Sequence, residues 1–407
     1  MATTSPTCVL IADAFDDAGI AQLQSIGCEV RCDATLKEES LLAAIQEFSP
    51  TVLIVRSTKV SAAMINATES LALIVRAGAG YDTIDVSEAS KKGVFVANCP
   101  GKNSIAVAEL AWGLILSCDR RIPNQTIRLR EGRWEKKVFS KTQGLYGRTL
   151  GVIGLGGIGK EVVKRAKAFG MDVIAWSRSL NQDKANELGI QWAEEVLEIA
   201  RNSDVVSIHA ASTPETKHIV NEAFLDAMND GAILINTSRG ALIDEEALCK
   251  AIEEKGLIVG LDVFEDEPSS GSAEFNPQIA SFENVFGTHH VGASTAQAQT
   301  AIAEEAVRVV KKYCDSGEVL NCVNRAIDTP AKALLSVRHQ NLPGVLAHVF
   351  ELLSHAGVNV EEMENIMYDG AHAACARIQL SEEPNNEQLD AIRSHEHVLS
   401  ITLTPLS

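Results

Sequence analysis

The sequence predicts an α/β protein with two Rossmann-like parallel-sheet domains and a smaller ferredoxin-like βαββαβ module. Three observations support this fold class. From residue 8 to residue 295, short apolar runs alternate with helical patterns, which is typical of parallel sheets covered by helices. A glycine turn in G-x-G-x-x-G spacing lies between two such runs. From residue 331 the pattern becomes strand, helix, two strands, helix and strand.

Length and composition limit the possible functions. The chain has 407 residues and is 46% hydrophobic, so it is long enough for two or three domains with their own cores. Its net charge of −18 predicts no nucleic-acid partner and no anionic membrane partner, and it requires local arginines to collect an anionic substrate.

Other features bear on location and metal content. The nine cysteines show no C-x-x-C pair and no metal-like spacing with histidine, which predicts no disulfide framework, no metal and a reducing, cytoplasmic location. The opening MATTSPT lacks the regions of a secretory signal, and no apolar run approaches membrane-spanning length.

A flavodoxin-like substrate domain is expected at residues 1–103 and 296–325. Its predicted strands are the apolar runs at 8–12, 51–57, 71–80 and 93–101. Ligands of such sheets bind at the carboxyl ends of the strands. The substrate-binding candidates there are Arg56, Arg76, Gly78, Ala79, Gly80 and Asn103. The glycine turn offers backbone N–H donors, and the arginines offer fixed charge. For each arginine alone, a structural ion pair remains the alternative.

The next stretch should join the two larger domains. A helix from Asn103 or Ser104 to about Ser117 is apolar on nearly every side, which predicts a buried connector. The basic and aromatic stretch REGRWEKKVF, residues 130–139, is expected at a surface or an interface.

A dinucleotide-binding domain is expected at residues 104–295, inserted into the substrate domain. Its first unit is a strand to Ile153, the glycine turn, a helix that ends at Gly170 and a second strand to Trp176. In this pattern the first glycine allows the tight turn, the second lets the backbone approach a pyrophosphate, and the third lets helix and strand pack closely. Free N–H groups at the start of the helix then face the anion. The cofactor-binding candidates of this turn are Gly154, Gly156, Gly157, Ile158 and Gly159.

The second strand ends without the usual acidic residue. A carboxylate about 20 residues after the first glycine normally binds the adenosine ribose. Here Ser177 and Arg178 follow Trp176 instead. A guanidinium matches phosphate oxygens, so the pair can receive the 2′-phosphate of NADP. The alternative is that Arg178 is a solvated loop charge.

Further strands complete this domain. They are predicted at 204–210, 231–238 and 257–264, and Asp244 should cap a helix that ends at Gly256. A long helix to about Ser316 then returns the chain to the first domain.

Three side chains at strand ends can perform hydride-transfer chemistry. They are Arg239, Glu267 and His290. Oxidation of a secondary alcohol needs a base, and histidine suits this role near neutral pH. A carboxylate beside the imidazole fixes its tautomer and stabilises its charged form, and an arginine can hold a substrate carboxylate. His289 remains an alternative base.

The C-terminal module follows a predicted linker at 322–331 and occupies residues 331–407. It contains no catalytic cluster, so packing or oligomerisation is its simplest role.

Several segments resemble one enzyme family. They are RAGAGYDTID, GRTLGVIGLGGIGKEV, INTSRGALIDEEAL, LDVFEDEP and HHVGAST, and they resemble the D-isomer-specific 2-hydroxyacid dehydrogenases. The C-terminal module resembles an ACT regulatory domain, and with it the whole chain is similar to the phosphoglycerate dehydrogenases of this family. The resemblance implies that Arg239, Glu267 and His290 are the catalytic residues and that Asp262 contacts the nicotinamide amide.

The resemblance also implies further binding residues. It adds Thr237 and Gly292 to the cofactor site. Because an acidic chain needs local positive charge to collect an anion, Arg56 with a second basic group, Lys136, is predicted to bind a substrate phosphate. Two departures matter: His289 stands where the family usually has proline, and Ser177 replaces the ribose-binding acid. Family resemblance therefore implies NAD, while Ser177 and Arg178 leave NADP open.

Three functions are compatible with these patterns. The first is oxidation of D-3-phosphoglycerate to 3-phosphohydroxypyruvate, the first step of L-serine biosynthesis. The second is a hydroxypyruvate or glyoxylate reductase, and the third is a non-catalytic dinucleotide-sensing corepressor. A homodimer or homotetramer is expected. The resemblance further implies feedback inhibition by L-serine, bound by His339, Asn341 and Asn359 at an interface between two ACT domains.

Overall fold

The chain divides into two units, Met1–Asn324 and Arg325–Ser407. The structure is a computed structural model and describes residues 6–268, 272–326 and 328–406. Residues 1–5, which open the stretch MATTSPT, and residue 327 of the predicted linker lie outside the described residues. No helix in the described ranges has the length and apolarity that crossing a membrane requires.

The first unit begins with a five-stranded parallel sheet. Its strands are β1 (Cys8–Ile11), β2 (Glu29–Cys32), β3 (Val52–Val55), β4 (Leu73–Arg76) and β5 (Phe95–Asn98). The helices between them are α1 (Asp17–Ser25), α2 (Glu38–Phe48), α3 (Ala62–Ile65) and α4 (Val86–Lys91). The order β2-β1-β3-β4-β5 is the flavodoxin-like order that the sequence predicts. Strand β2 is not among the predicted strands, because it is an edge strand whose polar side chains give no apolar run.

A second, seven-stranded parallel sheet follows. Its strands are β6 (Thr149–Ile153), β7 (Asp172–Trp176), β8 (Gln191–Trp192), β9 (Val205–Ile208), β10 (Ile233–Asn236), β11 (Ile258–Leu261) and β12 (Val285–Gly287). The helices up to this sheet's last strand are α5 (Ser104–Arg120), α6 (Ile122–Arg130), α7 (Lys136–Phe139), α8 (Gly157–Ala168), α9 (Gln182–Leu188), α10 (Val196–Asn202), α11 (Glu222–Ala227) and α12 (Glu245–Lys255). The order β12-β11-β10-β9-β6-β7-β8 is the Rossmann order extended by one strand.

The ends of α12, the burial of α5 and the exposure of the stretch 130–139 agree with the sequence predictions. Helix α12 starts where the Asp244 carboxylate accepts the Ala247 N–H at 3.0 Å, and it ends at Gly256 in a left-handed conformation. Helix α5 buries most of its length against α8 and the strands β10 to β12. The stretch 130–139 lies at the surface, where Trp134 is 80% exposed.

The long helix α13 (Ala296–Ser316) returns to the first sheet, where Ile302 and Val309 pack with Val9 and Ile11. Its Glu305 is buried and accepts hydrogen bonds from Arg308 and from Asn321 at 2.7 Å, and it pairs with Lys102 at 3.3 Å. These donors, Arg308 first, lower the pKa of Glu305 to about 2. An ionised Glu305 therefore ties α13 to the segment that leads into α5.

The second unit is a four-stranded antiparallel sheet with two helices. Its elements are β13 (Ala333–Gln340), α14 (Val345–His355), β14 (Val360–Met367), β15 (Ala373–Leu380), α15 (Asn386–Arg393) and β16 (Val398–Pro405). The strand order is β14-β15-β13-β16, and Leu335, Val349, Ile378 and Ile392 lie in its core. The βαββαβ prediction is confirmed.

Candidate active site

The glycine turn after β6 has the shape that its spacing predicts. Gly154 has a φ of +96°, and a Cβ there would lie 2.6 Å from backbone atoms of His209 and Ala210. A Cβ on Gly159 would collide with the carbonyl oxygen of Gly154. Gly154 is therefore needed where the turn approaches the segment after β9, and Gly159 is needed where α8 approaches the turn.

The other side of the turn is open. A Cβ on Gly156 would meet no heavy atom within 4 Å, and no side chain caps helix α8 where it begins at Gly157. Ile158 packs into the core beneath. An open glycine backbone at an uncapped helix N-terminus fits a pyrophosphate.

Ser177 and Arg178 follow β7 at this edge. Arg178 is exposed, and in the described part of the chain it makes no hydrogen bond or ion pair. Its charge acts on Glu215, whose pKa is lowered mainly by a hydrogen bond from Thr213 and partly by Arg178. Arg178 is therefore available to bind a 2′-phosphate, although the nearby negative charge of Glu215 would repel that phosphate.

The turn that carries Arg239 is fixed by a residue that the sequence patterns do not single out. Asn236, at the end of β10, accepts the Ser238 N–H at 3.0 Å and donates to the Arg239 carbonyl at 2.8 Å. Asparagine ending a buried strand is the signal that could have identified it. The hydroxyl of neighbouring Thr237 is buried without a hydrogen-bond partner, which is consistent with a residue that hydrogen-bonds to a ligand.

Arg239 reaches across to the turn after β4. Its guanidinium pairs with Asp82 at 3.0 Å, and a Cβ on Gly80 would collide with its Nη2 atom. Burial would raise the pKa of Asp82, but hydrogen bonds and charge from Arg239 outweigh this effect and leave the pKa below its usual value. The structure thus brings Arg239 to the predicted substrate turn.

The same turn holds a second arginine. Burial, together with the charge of Arg239, lowers the pKa of Arg76 to about 10, and its Nε atom is buried without a partner. The Arg76 side chain occupies the place where a Cβ of Gly78 would be. Asn98 supports the turn by donating to the Ala79 carbonyl at 2.7 Å. The result is a positively charged turn suited to a carboxylate.

His290 and Glu267 form a direct pair. The Nδ1 atom of His290 lies 2.7 Å from Oε2 of Glu267, and the other Glu267 oxygen accepts the Phe264 N–H at 2.9 Å. Burial would raise the pKa of Glu267, but the hydrogen bond and charge of His290 keep it below its usual value. His289, in contrast, makes no hydrogen bond or ion pair within the described ranges.

A buried carboxylate shapes the His290 loop. Asp262 accepts hydrogen bonds from the Thr288 hydroxyl at 2.6 Å and from the N–H groups of Val291 and Gly292 at 2.9 and 2.8 Å. His290 itself has a φ of +52°, a strained value for a residue with a side chain. Asp262 therefore holds His290 in place, while its contact with a nicotinamide stays a prediction.

Of the remaining substrate candidates, Arg56 lies near the site and Lys136 does not. Arg56 lies beside the His290 loop, where it donates to Gln299 at 2.7 Å and contacts Ser294 at 3.5 Å, and burial lowers its pKa. The side-chain oxygen of Asn103, at the start of α5, is buried and unpaired. Lys136 instead lines a groove between α6 and α7 that contains none of the other candidates.

In the second unit, the predicted effector residues are already engaged. His339 is buried, with Nδ1 2.7 Å from the Gln340 carbonyl and Nε2 3.2 Å from Asn365 Oδ1. Asn341 donates to the Ala371 carbonyl at 3.0 Å, and Asn359 donates to Glu361 at 2.9 Å. Strands β13 and β14 run in the same direction, because each pairs antiparallel with β15. Asn341 follows the end of β13 and Asn359 precedes the start of β14, so they lie at opposite ends of the sheet, about 20–25 Å apart.

Comparison with known proteins gives a consistent picture. Residues 112–292 match the family model of the D-isomer specific 2-hydroxyacid dehydrogenase, NAD binding domain. The D-3-phosphoglycerate dehydrogenase of Methanocaldococcus jannaschii is 41% identical over 318 residues, which are 78% of this chain and 59% of that protein. The hydroxypyruvate reductase of Thermotoga maritima is 44% identical over 279 residues, 68% of this chain and 88% of that protein.

A solved structure agrees. The NAD+-bound 3-phosphoglycerate dehydrogenase of Entamoeba histolytica has a TM-score of 0.66 and 26% identity, covering 79% of this chain and all of that one. The chain spans only about three-fifths of the length of the M. jannaschii relative. With the dinucleotide turn, the His290–Glu267 pair and Arg239 in the places described above, the chain belongs to the D-isomer-specific 2-hydroxyacid dehydrogenase family.

Proposed function

We propose that this chain is an NAD(P)-dependent dehydrogenase that oxidises D-3-phosphoglycerate to 3-phosphohydroxypyruvate, the first step of L-serine biosynthesis. The observation that carries the proposal is the 2.7 Å contact between His290 and Glu267, which lies at the same edge of the second sheet as the Arg239 turn. The phosphoglycerate dehydrogenase relative, 41% identical, supports this substrate.

We propose one task for each residue, and the geometry supports it. Glu267 accepts the Nδ1–H of His290, which leaves Nε2 free to accept the proton of the substrate hydroxyl. The carboxylate of Glu267 then stabilises the imidazolium that forms. Arg239 and the N–H groups of Ala79 and Gly80 hold the substrate carboxylate, since the Gly78 N–H already donates to the Arg76 carbonyl at 2.8 Å. Bound NAD(P) supplies the hydride acceptor.

The substrate phosphate is assigned to Arg56. Its guanidinium lies beside the His290 loop, and its hydrogen bonds to described residues go to the uncharged oxygens of Gln299 and Ser294, which an anion can replace. Lys136 is proposed as its partner only if a second copy of the chain brings it near.

The alternative function is a hydroxypyruvate or glyoxylate reductase, which the 44% identical T. maritima relative supports. A substrate panel with NAD and NADP separates the two. The proposal predicts the highest kcat/KM for 3-phosphoglycerate, and Arg56→Ala should weaken its use far more than the use of glycerate. Preference for hydroxypyruvate, with equal losses in the variant, would establish the alternative.

Cofactor choice gives a further prediction. The family and the NAD+-bound neighbour support NAD, and the unpaired Arg178 leaves room for NADP. Ser177→Asp should shift the preference toward NAD by about tenfold or more, because a carboxylate binds the ribose hydroxyls and repels a 2′-phosphate. Kinetics with both cofactors measure this shift. A native protein that already rejects NADP would reduce Arg178 to a surface charge.

We also propose a homodimer or a larger homo-oligomer. Helices α6 and α7 and the segment between them expose large apolar side chains, which are Ile127, Leu129, Trp134 and Val138 at 52, 57, 80 and 51%. Exposed apolar side chains gathered in one segment of this length favour association.

Control by L-serine is proposed for the second unit. Because Asn341 and Asn359 lie at opposite ends of one sheet, a single serine can meet both only between two copies. Binding there would couple to the catalytic residues by about 1–3 kcal/mol, or roughly 5- to 150-fold. Titration of L-serine into the assay should therefore inhibit, and Asn341→Ala with Asn359→Ala should remove the effect. Activity unchanged at millimolar serine would leave this unit without the proposed effector.

A further inference from the structure

Asp82 binds one edge of the Arg239 guanidinium. Its two carboxylate oxygens accept hydrogen bonds from Nε at 3.2 Å and Nη2 at 3.0 Å, a bidentate arrangement. Asp82 lies between β4 and α4, whereas Arg239 follows β10, so the pair joins segments that extend from the two sheets of the first unit.

The remaining N–H groups of Arg239 can be counted. A guanidinium has five, of which Asp82 takes one on Nε and one on Nη2, and the Ser238 carbonyl takes one on Nη1 at 2.7 Å. One N–H is left on each of Nη1 and Nη2. These two nitrogens form the end of the fork, which can bind a second carboxylate.

The surroundings preserve this arrangement. Gly80 has no Cβ, and a Cβ at that position would collide with Arg239 Nη2 and lie 2.9 Å from Asp82 Oδ1. Arg76 is the neighbouring cation, and its charge and that of Arg239 oppose each other. The Asp82 carboxylate compensates for this repulsion, so Arg239 can stay pointed at the turn before any substrate arrives.

We propose that Asp82 is a positioning residue: it holds Arg239 through Nε and Nη2 and so directs the free N–H groups of Nη1 and Nη2 at the substrate carboxylate. The inference rests on the proposed role of Arg239 in binding that carboxylate. Asp82 itself does not touch the substrate. Its contribution is to fix the orientation of the fork in advance, which removes the cost of ordering a long side chain during binding.

The test is a double-mutant cycle. Asp82→Asn should lower kcat/KM for the 2-hydroxy acid by about 10- to 100-fold, because a misdirected positioning group has effects of this size. In an Arg239→Ala background, the same substitution should change kcat/KM by less than about twofold, because its effect passes through Arg239. The dissociation constant of NADH, measured by fluorescence, should stay within about twofold in every variant and also reports a folded dinucleotide site.

Two further variants complete the design. Asp82→Glu keeps the charge but not the geometry, so it should recover only part of the lost activity. Glu47→Gln removes an exposed pair with Arg31 at 3.0 Å and serves as the matched control, with unchanged kinetics.

The outcomes are distinct. If Asp82→Asn lowers kcat/KM tenfold even without Arg239, its role is structural and the inference is wrong. If Arg239→Ala is severely impaired while Asp82→Asn is normal, only this inference fails. If Arg239→Ala itself keeps normal substrate use, the proposed role of Arg239 fails, and the inference fails with it.

Discussion

Replacing His290 with asparagine should lower turnover by at least about 100-fold, the low end of what a positioned acid–base group contributes. Asparagine keeps a polar side chain of similar reach but cannot accept the hydroxyl proton. Its amide can still donate to Glu267, so the loop that Asp262 holds should persist. NADH binding, measured by fluorescence, should be unchanged, and the loss should appear in kcat.

His289 is the matched control for this substitution. It is the adjacent residue, is also exposed, and makes no hydrogen bond or ion pair in the described part of the chain. His289→Asn should keep turnover within a few-fold of the native enzyme. A large loss in this variant, together with normal turnover in His290→Asn, would transfer the role of the base to His289.

The sequence predicts most of the fold because the buried strands are continuous apolar runs. Strands such as β3 and β10 are buried at every position and stand out at once. The strands absent from the predicted set are β2, β8 and β12, which lie at sheet edges and either carry polar side chains or are only two or three residues long. An edge strand is stabilised by pairing with its neighbour, and that information is not local in the chain.

The candidate site divides in the same way. The glycine turn and the pair of Glu267 and His290 follow motifs whose spacing encodes their role. Asp82, by contrast, meets Arg239 across 157 residues of chain, and no local pattern reveals that contact. For Lys136 only its charge suggested a role at the substrate phosphate; within one chain it lies in a separate groove, so that role stays a prediction.

The largest disruption from a single added methyl group is expected at Gly240. A Cβ there would collide with the carbonyl group of Phe264 and lie 2.5 Å from the backbone nitrogen of Glu265. No side-chain rotation can relieve a clash with backbone atoms. The Arg239 turn and the loop that carries Glu267 therefore touch directly, and Gly240→Ala must push them apart.

This displacement acts on both halves of the site. Phe264 donates its N–H to Glu267, so moving that segment also moves the partner of His290. We expect kcat/KM to fall about 100-fold or more, since a shift of this kind misplaces two catalytic side chains. The free energy of unfolding should fall by about 1–3 kcal/mol, the usual cost of overpacking. Steady-state kinetics and urea unfolding measure the two effects.

Gly113 provides the control for the added methyl group. It lies within helix α5, and a Cβ there would meet no heavy atom within 4 Å. Gly113→Ala should raise the free energy of unfolding by about 0.5–1 kcal/mol, because alanine loses less conformational entropy in a helix. Its turnover should match that of the native enzyme. Normal turnover in Gly240→Ala as well would show that the two loops can separate without harm, and that their contact does not set the geometry of Arg239 and Glu267.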